Sequence, residues 1–259
     1  MKPLSLLIFL IIFSVSHAQN VLHEKISFTA EYSQHQYAMD SLNKHYVGFY
    51  IDTLGWLDEK ISFGQRLGVS INFRLNKFIE TGFKFSHQYG QTEKITETEV
   101  YGLNPSPYET DMLWNIKTSA TSIQMSNTFY LSSLFLSKVK SSILRRIEFG
   151  IEFNIGYSLN KFSSYYHFID ITEPNYAYMN HDYLVLQNRA AQATLGFKID
   201  FNFLNNSFIS RLGINSGYQF LRTGAIKKHS GDEMIFPNSS PMNLDFSGFY
   251  YGIYLKLGK

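Results

Sequence analysis

From Glu148 to Tyr157 the chain reads Glu-Phe-Gly-Ile-Glu-Phe-Asn-Ile-Gly-Tyr, with every odd position large and apolar and every even position polar or glycine. A helix places residues three and four apart on one face and would mix Phe149 with Glu152. A period of two separates them. The rhythm recurs in Val69, Ile71 and Phe73, set against Ser70, Asn72 and Arg74. It returns in Ala193 to Phe203, in Leu212 to Phe220 and in Phe249 to Leu257. Weaker versions run through Ile26-Phe28-Ala30-Tyr32, Ile79-Thr81-Phe83-Phe85 and Ile123-Met125-Asn127-Phe129-Leu131. These segments read as β-strands.

Eight strands are expected, at 24–36, 62–75, 78–92, 116–132, 145–162, 184–204, 207–222 and 244–258. Short connections follow the second, fourth and sixth: Asn76-Lys77, the stretch from Ser133 to Leu144, and Asn205-Asn206. Connections of about twenty residues or more are expected after the first, third, fifth and seventh. In an up-and-down meander alternate connections share an end, so one end is tight and the other heavily looped. An even strand number also brings both termini to the tight end.

The 259 residues suit one large all-β domain. Residues 1–18 read as a secretory signal peptide, with Lys2, the apolar run Leu4 to Phe13, and the small-x-small site Ser16-His17-Ala18. Residues 19–259 are then a single barrel domain. With no cysteine, disulfides, thiolate metal sites and a cysteine nucleophile are excluded. A formal charge of +2 gives no electrostatic case for nucleic acid. Polar residues interrupt each later apolar stretch before it reaches helical-span length, so entry into a membrane requires a closed barrel.

Alternation alone leaves open which face meets water. A soluble barrel buries its apolar face inward, whereas a membrane barrel turns it to lipid. Three features favour the membrane. The strands are long. The polar face mixes full charges with many glycines, such as Gly68, Gly82, Gly150, Gly156, Gly196, Gly213, Gly217 and Gly252, which suits a narrow filled lumen. Tyrosine and tryptophan gather near strand ends, as an interfacial girdle requires: Tyr46, Tyr50, Trp56, Tyr89, Trp114, Tyr130, Tyr157, Tyr165, Tyr166 and Tyr183.

With its leader, eight amphipathic strands and the terminal strand Phe249-Tyr250-Tyr251-Gly252-Ile253-Tyr254-Leu255-Lys256-Leu257, the chain resembles the small outer-membrane β-barrel proteins of the OmpA/OmpX-like and PorT-like porin-domain kind. The resemblance is architectural and spans nearly all of the chain after the leader. It implies the outer membrane, its lipids and its assembly machinery as surroundings. The chain ends Leu257-Gly258-Lys259, where such barrels commonly carry a terminal aromatic for that machinery.

The candidate site is a lumenal charge network of Arg74, Glu80, Lys84, Glu148, Glu152, Lys198, Asp200 and Arg211. Eight strands leave an interior only wide enough for side chains, so mutual pairing is expected ahead of an ion or solute path. His35, His45, His87, His167, His181 and His229 fall in expected loops or strand tops, without paired ligand spacing, and read as solvated. Ser86 and His87 are adjacent on a strand, so they face opposite ways and form no nucleophile-base pair. Lys138, Lys140, Arg145 and Arg146 at the second short connection suit anionic headgroups. Glu93, Glu97, Glu99, Glu109 and Asp111 form an acidic third loop, suited to a partner protein or to divalent cations bridging lipid phosphates. No metal or other cofactor and no catalysis is expected. The chain reads as a monomeric outer-membrane barrel with a structural or interaction role in its outward loops. A narrow channel or carrier is the alternative, and a lipid-modifying enzyme a more distant one.

Overall fold

The computed structural model describes residues 26–48, 51–52, 55, 57–100, 108–132, 146–168, 183–202, 209–228, 230–235 and 241–258. The expected leader, 1–18, lies outside them, as do Lys138, Lys140 and Arg145.

Eight strands form one closed antiparallel barrel in chain order. They are β1 (Ile26–Gln36), β2 (Phe63–Arg74), β3 (Ile79–Val100), β4 (Tyr108–Tyr130), β5 (Ile147–Phe168), β6 (Tyr183–Phe201), β7 (Ile209–Phe220) and β8 (Gly248–Leu257). Closure comes from β1 pairing with β8, from Phe28 opposite Leu257 to His35 opposite Tyr250. The first tight turn is an Asx turn: Asn76 Oδ1 accepts from the backbone N–H of Phe78 at 2.8 Å and of Ile79 at 3.0 Å.

The alternation resolves with its apolar face outward. Phe153 is 41% exposed and Phe197 68%, while Glu152, on the opposite phase of β5, is 2% exposed. Burying ionised groups inside and leaving large apolar ones outside inverts the order of a water-soluble protein. On β5 the outward apolar run extends from Phe149 to Leu159. Ten steps at ~3.3 Å along a strand tilted by ~40° give a height of about 25 Å, that of an apolar barrel band.

At the loop-bearing end β3 to β6 rise beyond their neighbours. Pairing of β2 with β3 ends at Gln65 opposite Tyr89, and β6 meets β7 only from Ala193. The β3–β4 pairing continues to Val100 opposite Tyr108, and β5–β6 to Tyr165 opposite Tyr183. The described residues of segments 37–62 and 221–247 fold over the inner face of this four-stranded wall. Leu42, Val47, Leu57 and Ile61 from the first meet Leu221, Ile226, Met242, Leu244 and Phe246 from the second, against Met112, Trp114, Ile116, Phe162 and Leu186 of the wall. The first segment is α-helical at Asp40–Leu42 and π-helical at Asn43–Val47. Asn43 pins it by donating to the Ile61 carbonyl and accepting from the Ile61 N–H, both at 3.0 Å. The barrel therefore carries an apolar cap.

Several sequence expectations change. The third and fifth connections are 101–107 and 169–182, shorter than twenty residues, because the flanking strands run on past the apolar belt. Glu93, Glu97, Glu99, Glu109 and Asp111 are accordingly strand residues, not loop residues. Tyr130 points into the lumen and Trp114 into the cap, so neither belongs to a girdle. Tyr89 and Tyr157 do face outward. His35 is a lumenal residue with no exposure, since its odd position on β1 shares the face of Glu31 and Ser33.

Candidate functional site

All eight expected charges lie on the inner face or its lower rim, and the structure adds Glu31, Arg66 and Lys256. Five carboxylates (Glu31, Glu80, Glu148, Glu152, Asp200) thus meet six cations (Arg66, Arg74, Lys84, Lys198, Arg211, Lys256) among the described residues. Near-neutrality matters because an unpaired ion in so confined a space is costly.

The upper layer centres on Glu31. Its carboxylate accepts from Arg66 Nη2 at 2.5 Å and from Lys84 Nζ at 2.6 Å. Lys84 also stands 3.7 Å from Glu152. Arg66 donates from Nε to Ser33 Oγ at 3.2 Å and from Nη1 to Gln219 Oε1 at 3.4 Å, with its guanidinium 4.8 Å from the Tyr250 ring centre. Gln192 donates to Gln219 at 2.8 Å, and Gln219 donates to Gln88 at 3.1 Å and to the Phe246 carbonyl at 3.0 Å. That last bond ties the charge network to the cap. His35 stacks on Tyr250 at 5.2 Å, its Nε2 3.1 Å from Ser33 Oγ.

The lower layer centres on Asp200 and Glu80. Lys256 Nζ donates to Glu80 and lies 4.0 Å from Asp200. Tyr130 donates to Asp200 at 3.0 Å, and Tyr254 donates to the other oxygen of that carboxylate. Lys198 sets its ammonium 4.6 Å from the Tyr254 ring centre. At the tight-turn rim Glu148 accepts from Arg74 at 3.2 Å and from Arg211, which also lies 3.4 Å from Asp200. Arg74 covers Tyr130 at 3.8 Å.

These contacts join strands that are not neighbours in the sheet: β2 with β7, β3 with β7, β3 with β5, β3 with β8, β4 with β6. Side chains meet across the middle of the cylinder and fill it. The arrangement braces the barrel, and at its upper end the cap closes it.

Glu31, Arg66 and Lys256 were reachable by the same rule that gave the other eight. Glu31 lies out of phase with Phe28, Ala30 and Tyr32, and Arg66 lies two before Gly68. Ser86 and His87 sit on opposite faces: Ser86 faces the lumen, 2.8 Å from Ser122 Oγ, and His87 faces out, its Nδ1 2.8 Å from Thr121 Oγ1. Of the six histidines singled out above, His181 and His229, and the side chain of His167, lie outside the described residues. Groups of three or more potential metal ligands are absent among the described residues.

No protein-family model matches this chain. No curated protein matches it either. Among solved structures it is similar to a major outer membrane protein from Thermus thermophilus, at 11% identity and TM-score 0.40, covering 90% of this chain and 100% of that one. It is also similar to Neisserial surface protein A, at 10% identity and TM-score 0.37, covering 90% and 96%. A third is the outer membrane protein OprG from Pseudomonas aeruginosa, at 11% identity and TM-score 0.38, covering 91% and 96%.

Proposed function

We propose that this chain is an integral outer-membrane β-barrel that does not conduct, with a structural or interaction role carried by its capped, loop-bearing end. The observation that carries the reading is the outward belt of Phe, Ile, Leu and Tyr, about 25 Å tall, around a core of ionised side chains. No arrangement of that surface in water is favourable, whereas in hydrocarbon it is the low-energy face. The lumenal network and the cap weigh against the channel or carrier reading, since a permeating solute would have to displace bonds that span the cylinder.

Beyond the belt, the β3–β4 hairpin presents Glu93, Glu97 and Asp111 on its outer surface, with Glu97 directly opposite Asp111. Like charges facing each other across strands oppose pairing, so this surface suits a cationic partner or divalent cations. Opposite it, the tight-turn rim with Arg146 is the side offered to anionic headgroups and assembly machinery.

Fractionation of cells expressing the full chain, with electrophoresis of unheated and boiled samples, tests the reading. Recovery in outer membranes with a compact band that shifts on boiling is expected. Recovery in the soluble fraction, or a single band under both treatments, would overturn it. Planar-bilayer recordings should stay at the baseline of the empty membrane, and discrete conductance steps would move the assignment to a channel.

A further inference from the structure

The outer wall carries a groove of about 730 Å³ at the upper edge of the belt, between Phe85, Ile123, Tyr157, Leu159 and Ala191, with Arg189 at its rim. Small side chains make the furrow: Thr121 and Ala191 stand where neighbouring outward positions hold Phe, Ile, Leu or Tyr. Above it the outward face turns basic. Lys161 pairs across β5–β6 with Gln187 while Leu159 pairs with Arg189, so Lys161 and Arg189 are diagonal neighbours on one face. Lys117 and Lys161 are related in the same way, through Ser119 opposite Lys161 and Lys117 opposite Ser163. Diagonal outward neighbours lie within reach of one another's long side chains. No carboxylate stands within 4.0 Å of any of these three cations among the described residues.

Two further exposed cations adjoin this sector, Arg222 and Lys227, the latter opposite Gln187, and each has a carboxylate of its own, Asp245 at 3.9 Å and Glu233 at 3.2 Å. Followed along the pairing register from Lys161, the outward residues are Ser119 on β4, Tyr89 on β3, Gln65 on β2, Gln34 on β1 and Tyr251 on β8, all uncharged. A generic interfacial ring would spread its basic residues around the barrel. Among the described residues of this sector, Lys117, Lys161 and Arg189 on three adjacent strands are the cations without a carboxylate partner, and they stand directly over the furrow. Lys117 is steadied on the Tyr165 ring, 5.5 Å from its centre.

We propose that this sector is a binding site for a lipid with a phosphate-bearing head group in the leaflet at the looped end. One acyl chain lies in the furrow between Phe85 and Leu159, and the phosphate is held by Arg189 and Lys161 with Lys117 behind. Arginine supplies two parallel donors to phosphate oxygens and lysine a point charge, a combination suited to a dianionic group. The charge above and the furrow below together select a lipid over a free anion. The inference rests on the membrane reading of the barrel.

The test uses the full chain inserted in phosphatidylcholine nanodiscs, released into detergent for native mass spectrometry. Dioleoyl phosphatidic acid and dioleoyl phosphatidylcholine are titrated separately, with inorganic phosphate as competitor. Phosphatidic acid should be retained about tenfold more strongly, as clustered interfacial basic residues would produce. The variant Lys117→Gln/Lys161→Gln/Arg189→Gln should lose that preference, and Arg189→Gln alone part of it. Ala191→Trp, which fills the furrow and leaves the charges, should also weaken retention. All substituted side chains face outward, and an unchanged heat-shifted band checks their folding. Equal retention of both lipids, an undiminished preference in the triple variant, or full displacement by millimolar phosphate would overturn the site while leaving the barrel reading intact. A chain that never enters the nanodiscs would overturn both.

Discussion

Glu31 on β1 and Arg66 on β2 are joined at 2.5 Å inside the cylinder, two residues off direct register, since Glu31 stands opposite Gly68 and Ser33 opposite Arg66. Lys84 reaches over β2 past Gly68 to the same carboxylate, its Cε 3.5 Å from where a Gly68 Cβ would stand. One acid therefore serves cations from two further strands.

That asymmetry predicts unequal substitutions. Glu31→Leu strips the carboxylate from both Arg66 and Lys84. Arg66→Leu leaves Glu31 still paired with Lys84. Removing one member of a buried pair costs about 3–5 kcal/mol, and Glu31→Leu should reach the upper end of that range. The midpoint temperature at which the compact gel band converts to the slow one should fall further for Glu31→Leu than for Arg66→Leu. Equal midpoints would remove Glu31 from the centre of the network.

A second prediction concerns Gly213. It stands opposite Tyr254 on β8, and a Cβ there would overlap the Tyr254 ring, which is fixed by its bond to Asp200 and by Lys198 over its face. Gly213→Ala must push the ring aside, an overpacking expected to cost about 1–3 kcal/mol. Gly68→Ala is the comparison, because its nearest neighbour is the flexible Lys84 stem at ordinary contact distance. A lower midpoint for Gly213→Ala than for Gly68→Ala is expected, and the reverse order would contradict the packing described.

The barrel is legible in the sequence because within the belt one rule governs eight strands. The rule fails where the solvent changes. On β4 the apolar positions are odd at Ile123, Met125 and Phe129, facing lipid, and even at Met112, Trp114 and Ile116, facing the cap. On β5 they pass from Phe149–Leu159 in odd phase to Phe162 in even phase, and on β6 from Leu195 and Phe197 to Leu184 and Leu186. The strand continues, but its greasy side moves from outside to inside as it leaves the bilayer. Along the sequence that phase break looks like a strand end, which makes β3, β4 and β5 read short and puts the acidic residues in a loop. The cap itself joins segments more than a hundred residues apart, and no local pattern announces that contact.

The cap and the charge network touch through the Gln219–Phe246 bond, yet each is held by its own contacts, so loss of the cap should leave the network in place. Leu244 is buried in the cap without exposure, and Leu244→Asp would place a carboxylate there. Burying an unpartnered polar group should destabilise the cap by about 3 kcal/mol and speed hydrogen exchange of its amides about a hundredfold. The heat-shifted band should persist, and bilayer conductance should stay at baseline because Arg66, Gln219 and Gln88 still bridge the lumen beneath. Conductance in this variant would mean that the cap alone closes the pore.

The cap should also have an alkaline limit, set by Tyr37 just beyond the end of β1. Its ring packs edge-on to Phe246 at 5.2 Å and its hydroxyl donates to the Tyr89 carbonyl at 3.4 Å. Burial pushes the phenol well above its ordinary value. In the opened cap the group titrates near its ordinary value of about 10, so the closed state binds the proton more tightly than the open one. The stability tied to Tyr37 is then fully present below about pH 10 and is lost as pH rises past it, by up to ~1.4 kcal/mol per unit. Trp114 lies in the same cluster, and in a Trp56→Phe background its emission reports on the cap. The emission should shift toward that of a solvated indole above about pH 10, and Tyr37→Phe, which keeps the ring and removes the proton, should flatten the shift. An identical alkaline shift in Tyr37→Phe would place the sensitivity in another group.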